Sequence, residues 1–383
     1  MADTIYKAST TAPVNIAVVK YWGKRDPKLN LPTNSSLSVT LSQANLRTLT
    51  TATCSASYQG QEDSLTLNGE PSDITGARTQ ACLRELRARR AALESANPSL
   101  PKLSTFPLRI VSENNFPTAA GLASSAAGFA ALVRAIANLY ELPSSPTELS
   151  LIARQGSGSA CRSLFGGYVA WQGGEQADGL DSKAVEVAPA SHWPSMKALV
   201  FVVSAAKKGV SSTSGMQQTV ATSDLFQQRI SHVVPAHMAK MEAAIKDKDF
   251  AKFAEVTMKD SNSFHACCAD TYPPIYYMND VSRAAVRAVE AINTAAGKVV
   301  AAYTFDAGPN AVVYYLEENS GPVVGTFYKL LQGTNGWKDG ANSYSSAAVA
   351  LDEATSELLK SGVSRIIQTG VGEGPIKSDQ HLA

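Results

Sequence analysis

The sequence predicts a chain of mixed helices and strands, large enough for one big domain or two lobes. Three observations carry that expectation. First, 383 residues with 44% hydrophobic content exceed the roughly 100–200 residues of a usual domain and leave ample apolar material for a core. Second, residues 13–22 (PVNIAVVKYW) and Leu37–Leu41 carry the β-branched content and period-two alternation of strands. Third, the stretch 119–140 is nearly all small or apolar, with nine alanines from Ala119 to Ala137, which suits a buried helix packed close to its neighbours.

Along the chain, the two strand-like segments make a hairpin-like start. Residues 74–95 set Arg78, Arg84, Arg87, Arg89 and Arg90 among alanines and leucines, a helical composition whose charges are expected on a solvated face. Asn97-Pro98 to Pro101 ends that helix, and residues 108–111 (LRIV) read as a short strand. After the alanine-rich helix, Glu148–Ala153 is expected to be helical and Phe165–Trp171 a strand, followed by a Gly- and Asp-rich loop over 173–183. Lys197–Ser204 reads as a strand and Ser223–Ala254 as amphipathic helices. Pro189 to Pro194 marks the expected boundary between an N-terminal lobe, 1–190, and a C-terminal lobe, 191–383.

Charge and cysteine usage exclude several function classes. With 34 Lys and Arg against 33 Asp and Glu the formal net charge is +1, so neither a general nucleic-acid surface nor a polyanionic tail is expected. Apolar runs such as Ala198–Val203 fall far short of the ~20 residues that a membrane-spanning helix needs. The first dozen residues lack a signal-like apolar stretch, and five scattered cysteines without a CxxC pair point to reduced thiols in a cytoplasmic protein. The vicinal Cys267 and Cys268 read as small buried hydrophobes.

Local charge says more than the total. The stretches 4–25, 114–140, 149–174 and 187–223 contain no Asp or Glu, and each sets Gly, Ser or Thr clusters beside Lys or Arg, the chemistry that holds polyanions. Residues 27–61 and 319–338 are acid-free as well, so the motifs inside the windows must decide.

The strongest motif is Pro117-Thr-Ala-Ala-Gly121-Leu122-Ala123-Ser124-Ser125, which runs into the alanine-rich helix. Gly121 permits close backbone approach, the helix start offers free N–H groups, and the two serines add hydroxyls, which together suit phosphate oxygens. The same pattern also suits an ordinary serine-capped core helix. Neither GxxxxGK[ST] nor GxGxxG occurs, so a nucleotide would bind through a different loop. A second cluster, Ser157-Gly158-Ser159-Ala160-Cys161-Arg162, sets a Gly-Ser loop before an arginine fork, although such loops are also plain connectors. A third is Lys207-Lys208-Gly-Val-Ser211-Ser212-Thr213. A fourth is the strand end Asn15 to Arg25, where alternation sets Lys20 and Trp22 on one face and Tyr21 on the other, and Gly23 turns Lys24 back toward Lys20. A fifth is Phe305-Asp306-Ala-Gly308-Pro-Asn310, where Asp306 also suits a plain turn. The histidines form no zinc spacing.

Together these segments resemble the diphosphomevalonate decarboxylase family of the GHMP kinase superfamily, over about Pro13 to Pro375. The 117–127 motif is shared by the superfamily; Asn15–Lys24, Ser157–Arg162 and Phe305–Asn310 are specific to the family. The resemblance implies an α+β, two-lobed GHMP kinase fold with an interlobe cleft and a left-handed βαβ crossover, against the usual hand. It implies ATP-dependent conversion of (R)-mevalonate 5-diphosphate to isopentenyl diphosphate, ADP, phosphate and CO2 in the mevalonate pathway of isoprenoid and sterol synthesis. ATP and Mg2+ are the expected cofactors, and a homodimer the expected assembly. The chemistry is reasonable: water has a pKa of ~15.7 and phosphate a second pKa of ~6, so phosphorylating the tertiary C3 hydroxyl turns it into a good leaving group.

By resemblance, the N-terminal lobe binds ATP and the C-terminal lobe contributes the catalytic Asp306, which orients or deprotonates the C3 hydroxyl. Lys20 stabilises the transferring phosphoryl group, and Arg162, positioned by Asn15, holds the substrate carboxylate. Tyr21, Trp22, Gly23, Lys24, Arg78, Ser157, Gly158, Ser159, Ala160, Cys161, Ser212 and Thr213 are the expected substrate contacts. Gly121, Leu122, Ala123, Ser124 and Ser125 are the expected ATP contacts, and no residue reads as a dedicated metal ligand.

Overall fold

The computed structural model describes residues 4–116, 124–203 and 209–382. The fold is α+β, with three main sheets. Threonine-rich segments that suit a pleated surface open the first: Tyr6–Pro13 pairs antiparallel with Arg47–Cys54, Thr10 opposite Thr50. That six-stranded sheet runs Ile376–Ser378, Tyr6–Pro13, Arg47–Cys54, Leu108–Asn114, Ser64–Leu67 and Glu70–Ser72. Its edge strand therefore comes from the far C-terminus. Ser64–Leu67 and Leu108–Asn114 are parallel, and the helix Ala77–Ala96 lies in the connection between them. The alanine-rich helix, Ser124–Leu139, packs on Tyr6–Pro13 and Arg47–Cys54, burying Ala126, Ala127, Ala130, Ala131, Ala135 and Ala137.

The second sheet runs Ala184–Ala188, Tyr168–Trp171, Ser36–Thr40, Asn15–Val19, and the third Ala301–Phe305, Ala311–Leu316, Met196–Val203, Val363–Gly370. A continuous core joins the two: Ile16, Val18 and Leu37 from one, Val200, Val312 and Tyr314 from the other, and Phe253 from the helix Phe250–Asp270. That helix packs on both Asn15–Val19 and Ala301–Phe305, so it ties together the two strand ends that carry the site.

Three expectations need correction. The strand expected over 13–22 is two: Tyr6–Pro13 and Asn15–Val19. It stops because the Lys20 N–H goes to the Asp260 carboxylate rather than to a neighbouring strand; Tyr21 and Trp22 therefore lie beyond the ladder. The strand expected from Phe165 begins at Tyr168, because residues 165–167 bend the chain after the 3₁₀ segment Gly158–Leu164, Gly167 at φ +68. The arginine-rich helix is not a uniformly solvated face. Arg78 and Arg84 are exposed, but Arg87 pairs with Asp63 at 2.7 Å. Arg90 is fully buried, donating to Glu94 at 2.9 Å and to the carbonyls of Tyr140 and Pro101 at 2.8 and 2.9 Å.

All five cysteines are free and buried. Among the described residues, no helix is long and apolar enough to cross a membrane.

Candidate active site

Lys20 follows the strand Asn15–Val19, and Asp306 follows Ala301–Phe305. Their side chains meet, Lys20 Nζ donating to Asp306 Oδ1 at 2.7 Å. The lysine side chain is 3% exposed and the aspartate 35%. The ammonium is thus set in the wall while the carboxylate stands at the opening, where it can meet a ligand.

Arg162 lies at the floor, on the segment Gly158–Leu164. Its Nε donates to Ser38 Oγ at 3.0 Å and to Asn15 Oδ1 at 3.3 Å, and its Nη1 to Ser36 Oγ at 2.5 Å. Asn15 is anchored in turn, its Nδ2 donating to Ser163 Oγ at 2.7 Å and to the Ser159 carbonyl at 3.1 Å. Burial presses the Arg162 guanidinium below the usual arginine range, opposed by Asp306 among other groups; no carboxylate is paired with it by a direct contact among the described residues. A buried guanidinium held by neutral hydroxyls and an amide keeps most of its charge for a ligand.

The Tyr21 ring packs on Trp171 with centroids 4.7 Å apart, and Arg162 lies 5.9 Å from the Trp171 ring. Gly158 fills the remaining space: a Cβ there would come within 2.9 Å of both Tyr21 and Trp171. Burial pushes the Tyr21 phenol well above its ordinary pKa, against the opposing pull of Arg78 and Arg162. Its hydroxyl is buried with no hydrogen-bond partner among the described residues, an unmet polar group beside two cations.

Gly23 then turns the chain at φ +84, where a Cβ would strike Phe226 and Thr33, each at 2.7 Å. This carries Lys24 near Arg78; burial first, and the Arg78 charge second, draw its ammonium down to about 8. Arg78, in the first turn of Ala77–Ala96, donates to Thr213 Oγ1 at 3.2 Å in the first turn of Ser212–Thr222. Ser125 Oγ and Ser157 Oγ are 3.3 Å apart, which brings the start of the alanine-rich helix to the second Gly-Ser loop. Clusters read separately in the sequence thus converge: Lys20 with Asp306, Tyr21 and Lys24 with Arg78, Ser125 with Ser157, and Asn15 with Arg162 and Ser159.

Some expected contacts are placed differently. Trp22 is 2% exposed; its indole Nε1 donates to Thr219 Oγ1 at 3.0 Å and its ring packs edge-on against Phe264 and Tyr277. Its side chain is thus a packing element here, with its one donor used by Thr219. Ala160 and Cys161 are fully buried, the thiol against the Gly158 carbonyl at 3.0 Å. Gly121, Leu122 and Ala123, together with Lys207 and Lys208, lie outside the described residues.

The sequence reading missed a set of charged groups behind Lys20. Asp260 accepts from the Lys20 N–H at 2.7 Å and pairs with Arg229 at 2.9 Å, and His237 Nδ1 lies 2.8 Å from its other oxygen. A usable signal did exist. Val256, Asp260 and Phe264 fall four apart, so an aspartate shares the apolar face of a helix and must find partners there.

Comparisons with known proteins place the chain in a family. Residues 12–184 match the diphosphomevalonate decarboxylase-like N-terminal domain and residues 198–378 the mevalonate 5-diphosphate decarboxylase C-terminal domain. The chain is 74% identical to the diphosphomevalonate decarboxylase of Gibberella zeae, over 100% of each chain. It is similar to a crystal structure of mevalonate 5-diphosphate decarboxylase, at TM-score 0.93 and 57% identity over 98% of each chain. A solved complex of MDDEF with MVAPP, AMPPCP and magnesium is more distant, at TM-score 0.74 and 29% identity, covering 98% of this chain and 100% of that one.

Proposed function

The chain belongs to the diphosphomevalonate decarboxylase family, and from that premise we propose how its own residues carry the reaction. It is an enzyme of the mevalonate pathway that decarboxylates mevalonate 5-diphosphate at the expense of ATP. The observation that carries the residue assignment is the Lys20–Asp306 contact of 2.7 Å beside an arginine whose charge meets only neutral partners.

In this reading the Asp306 carboxylate accepts the C3 hydroxyl proton as the oxygen attacks the γ-phosphoryl of ATP. Lys20 holds Asp306 in place and stabilises the charge spread over the transferring group. Loss of phosphate from C3 and of CO2 from the neighbouring carboxylate then forms the double bond of isopentenyl diphosphate. Arg162 faces that carboxylate while Asn15, Ser36 and Ser38 keep the guanidinium from swinging away. Lys24, Arg78, Ser157, Ser159, Ser212 and Thr213 take the diphosphate, and the buried Tyr21 hydroxyl gains its missing partner there.

ATP phosphates are assigned to the start of Ser124–Leu139, where Ser124 and Ser125 stand in the first turn, together with the sequence motif before it. Magnesium enters on ATP. The Ser125 and Ser157 hydroxyls meet beside that helix start. Phosphate oxygens and water would supply most of the ion's ligands, as hard Mg2+ prefers. We place the lobe boundary between residues 190 and 191, in the stretch separating the two matched domains, and read the protein as a cytoplasmic homodimer serving sterol synthesis; the free, buried thiols suit a reducing compartment.

The test is incubation with ATP, Mg2+ and mevalonate 5-diphosphate. Equal amounts of ADP and CO2 are expected; ADP without CO2 would instead mark a kinase of the same fold.

A further inference from the structure

The Lys20 peptide is held on both of its polar atoms by buried side chains distant in sequence. Its N–H donates to Asp260 Oδ1 at 2.7 Å, and its carbonyl accepts from Asn34 Nδ2 at 2.9 Å and Arg229 Nη2 at 3.3 Å. Arg229 grips the same carboxylate, with Nη2 2.9 Å from Oδ1 and Nη1 3.3 Å from Oδ2. His237 Nδ1 donates to Oδ2 at 2.8 Å. The Asp260 and Arg229 side chains are 0% and 1% exposed.

A wholly buried ion pair is poor evidence for stability, because desolvation offsets the attraction. Burial alone would raise the Asp260 carboxyl; the charge of Arg229 and the hydrogen bonds from His237, Arg229 and Lys20 instead hold it below the ordinary carboxylate value. Asp260 is thus an anion with four hydrogen bonds aimed at it, one of them from the backbone of Lys20. Arg229 opens a π-helical turn, Arg229–Val233, between the helices Asp224–Gln228 and Val234–Asp247, a local irregularity frequent at functional sites.

The next residue completes the arrangement. Ser261 Oγ accepts the N–H of Phe305 at 3.1 Å, the residue just before Asp306. Two consecutive residues of one helix therefore hold the two sides of the Lys20–Asp306 contact, Asp260 through the Lys20 N–H and Ser261 through the N–H of Phe305, one residue before Asp306.

We propose that Asp260 and Ser261, backed by Arg229 and His237, are positioning residues that set the Lys20 ammonium against Asp306 for phosphoryl transfer. The proposal rests on the roles assigned above to Lys20 and Asp306. It concerns the transition state and not substrate binding, since none of the four is assigned a contact with either substrate. Displacing a catalytic group by about 1 Å can cost about 10²-fold in rate, and that is the scale expected here.

The experiment is a double-mutant cycle read by single-turnover ADP formation. Asp260→Asn is expected to lower kcat by about 10- to 100-fold with both KM values within about threefold. In a Lys20→Met background the same change should cost less than about threefold, because its effect passes through Lys20. Should Asp260→Asn fail to fold, Ser261→Ala and His237→Phe carry the test, with losses in kcat of about three- to tenfold and unchanged KM; His237→Asn, which keeps an N–H at that place, should recover the rate. A full loss that persists in the Lys20→Met background, or a loss seen in KM with kcat intact, overturns the positioning role alone. Lys20→Met turning over at the wild-type rate removes the lysine assignment itself, and the proposal with it.

Discussion

The floor and the rim of the site hold their cations in opposite ways. At the floor, Arg162 and Lys20 are almost wholly buried, and each is tied to several internal partners: Asn15, Ser36 and Ser38 for the one, Asp306, Asp260, Arg229 and Asn34 for the other. At the rim, the Arg78 cation and the Ser125 hydroxyl are exposed, and long contacts, 3.2 Å to Thr213 and 3.3 Å to Ser157, are their cross-links among the described residues. Lys24 combines the two, buried like the floor groups but sharing the field of the exposed Arg78. The contrast teaches a division of work. Groups fixed in advance lower the cost of meeting charge that develops during reaction, whereas groups that adapt can close around a flexible polyanion and contribute to ground and transition states alike. Floor substitutions should therefore appear in kcat and rim substitutions in KM.

The largest effect is expected at Asp306. Asp306→Asn keeps the shape of the turn but removes the proton acceptor, and steady-state assay should show kcat lower by about 10²–10⁴-fold while ATP still binds. Next comes Arg162→Lys. An ammonium cannot reach Asn15, Ser36 and Ser38 together or present a planar fork, so a loss of about 10²-fold in kcat is expected; full kcat would move Arg162 out of the reacting centre. At the rim, Arg78→Ala should raise the KM for mevalonate 5-diphosphate by about tenfold, the scale of one charge-assisted hydrogen bond, with kcat nearly unchanged. A fall in kcat there would break the division.

The smallest effect is a displacement along the pH axis. Burial and then Arg78 draw Lys24 down to about 8, so its positive charge is present below that pH and lost above it. The kcat/KM profile for the diphosphate substrate should bend downward as pH rises through about 8. Arg78→Ala, by deleting one of the two causes, should move the bend to higher pH; a bend that stays in place would assign it to another group.

This contrast also explains what could be read from the sequence. Asn15, Lys20, Arg162, Ser125 and Ser157 lie in short runs of small residues and cations, where local composition states the chemistry, and the structure brings them together. Asp306 was legible as a turn next to a strand, though its lysine partner 286 residues away was not. The groups behind the floor left only a faint local mark: the bond between Lys20 and Asp260 spans 240 positions, and a lone aspartate in a helix resembles any surface acid until its face is counted. The packing of Trp22 was hidden for the complementary reason. It sits among the cations Lys20 and Lys24, but burial decides its role, and burial depends on Phe264 and Tyr277, which sequence proximity does not reveal. The arginine-rich helix erred in the same way, since Arg90 meets Glu94, Tyr140 and Pro101 only in the packed molecule.

The claim that the deep cations act on the transition state is tested most directly at Lys20, by acid-quenched single turnover of Lys20→Met saturated with both substrates. The account predicts that mevalonate 5-diphosphate and ATP bind within about threefold of the wild-type affinities while ADP forms about 10²-fold or more slowly. ADP formed at the wild-type rate, with the deficit found only in substrate affinity, would contradict it.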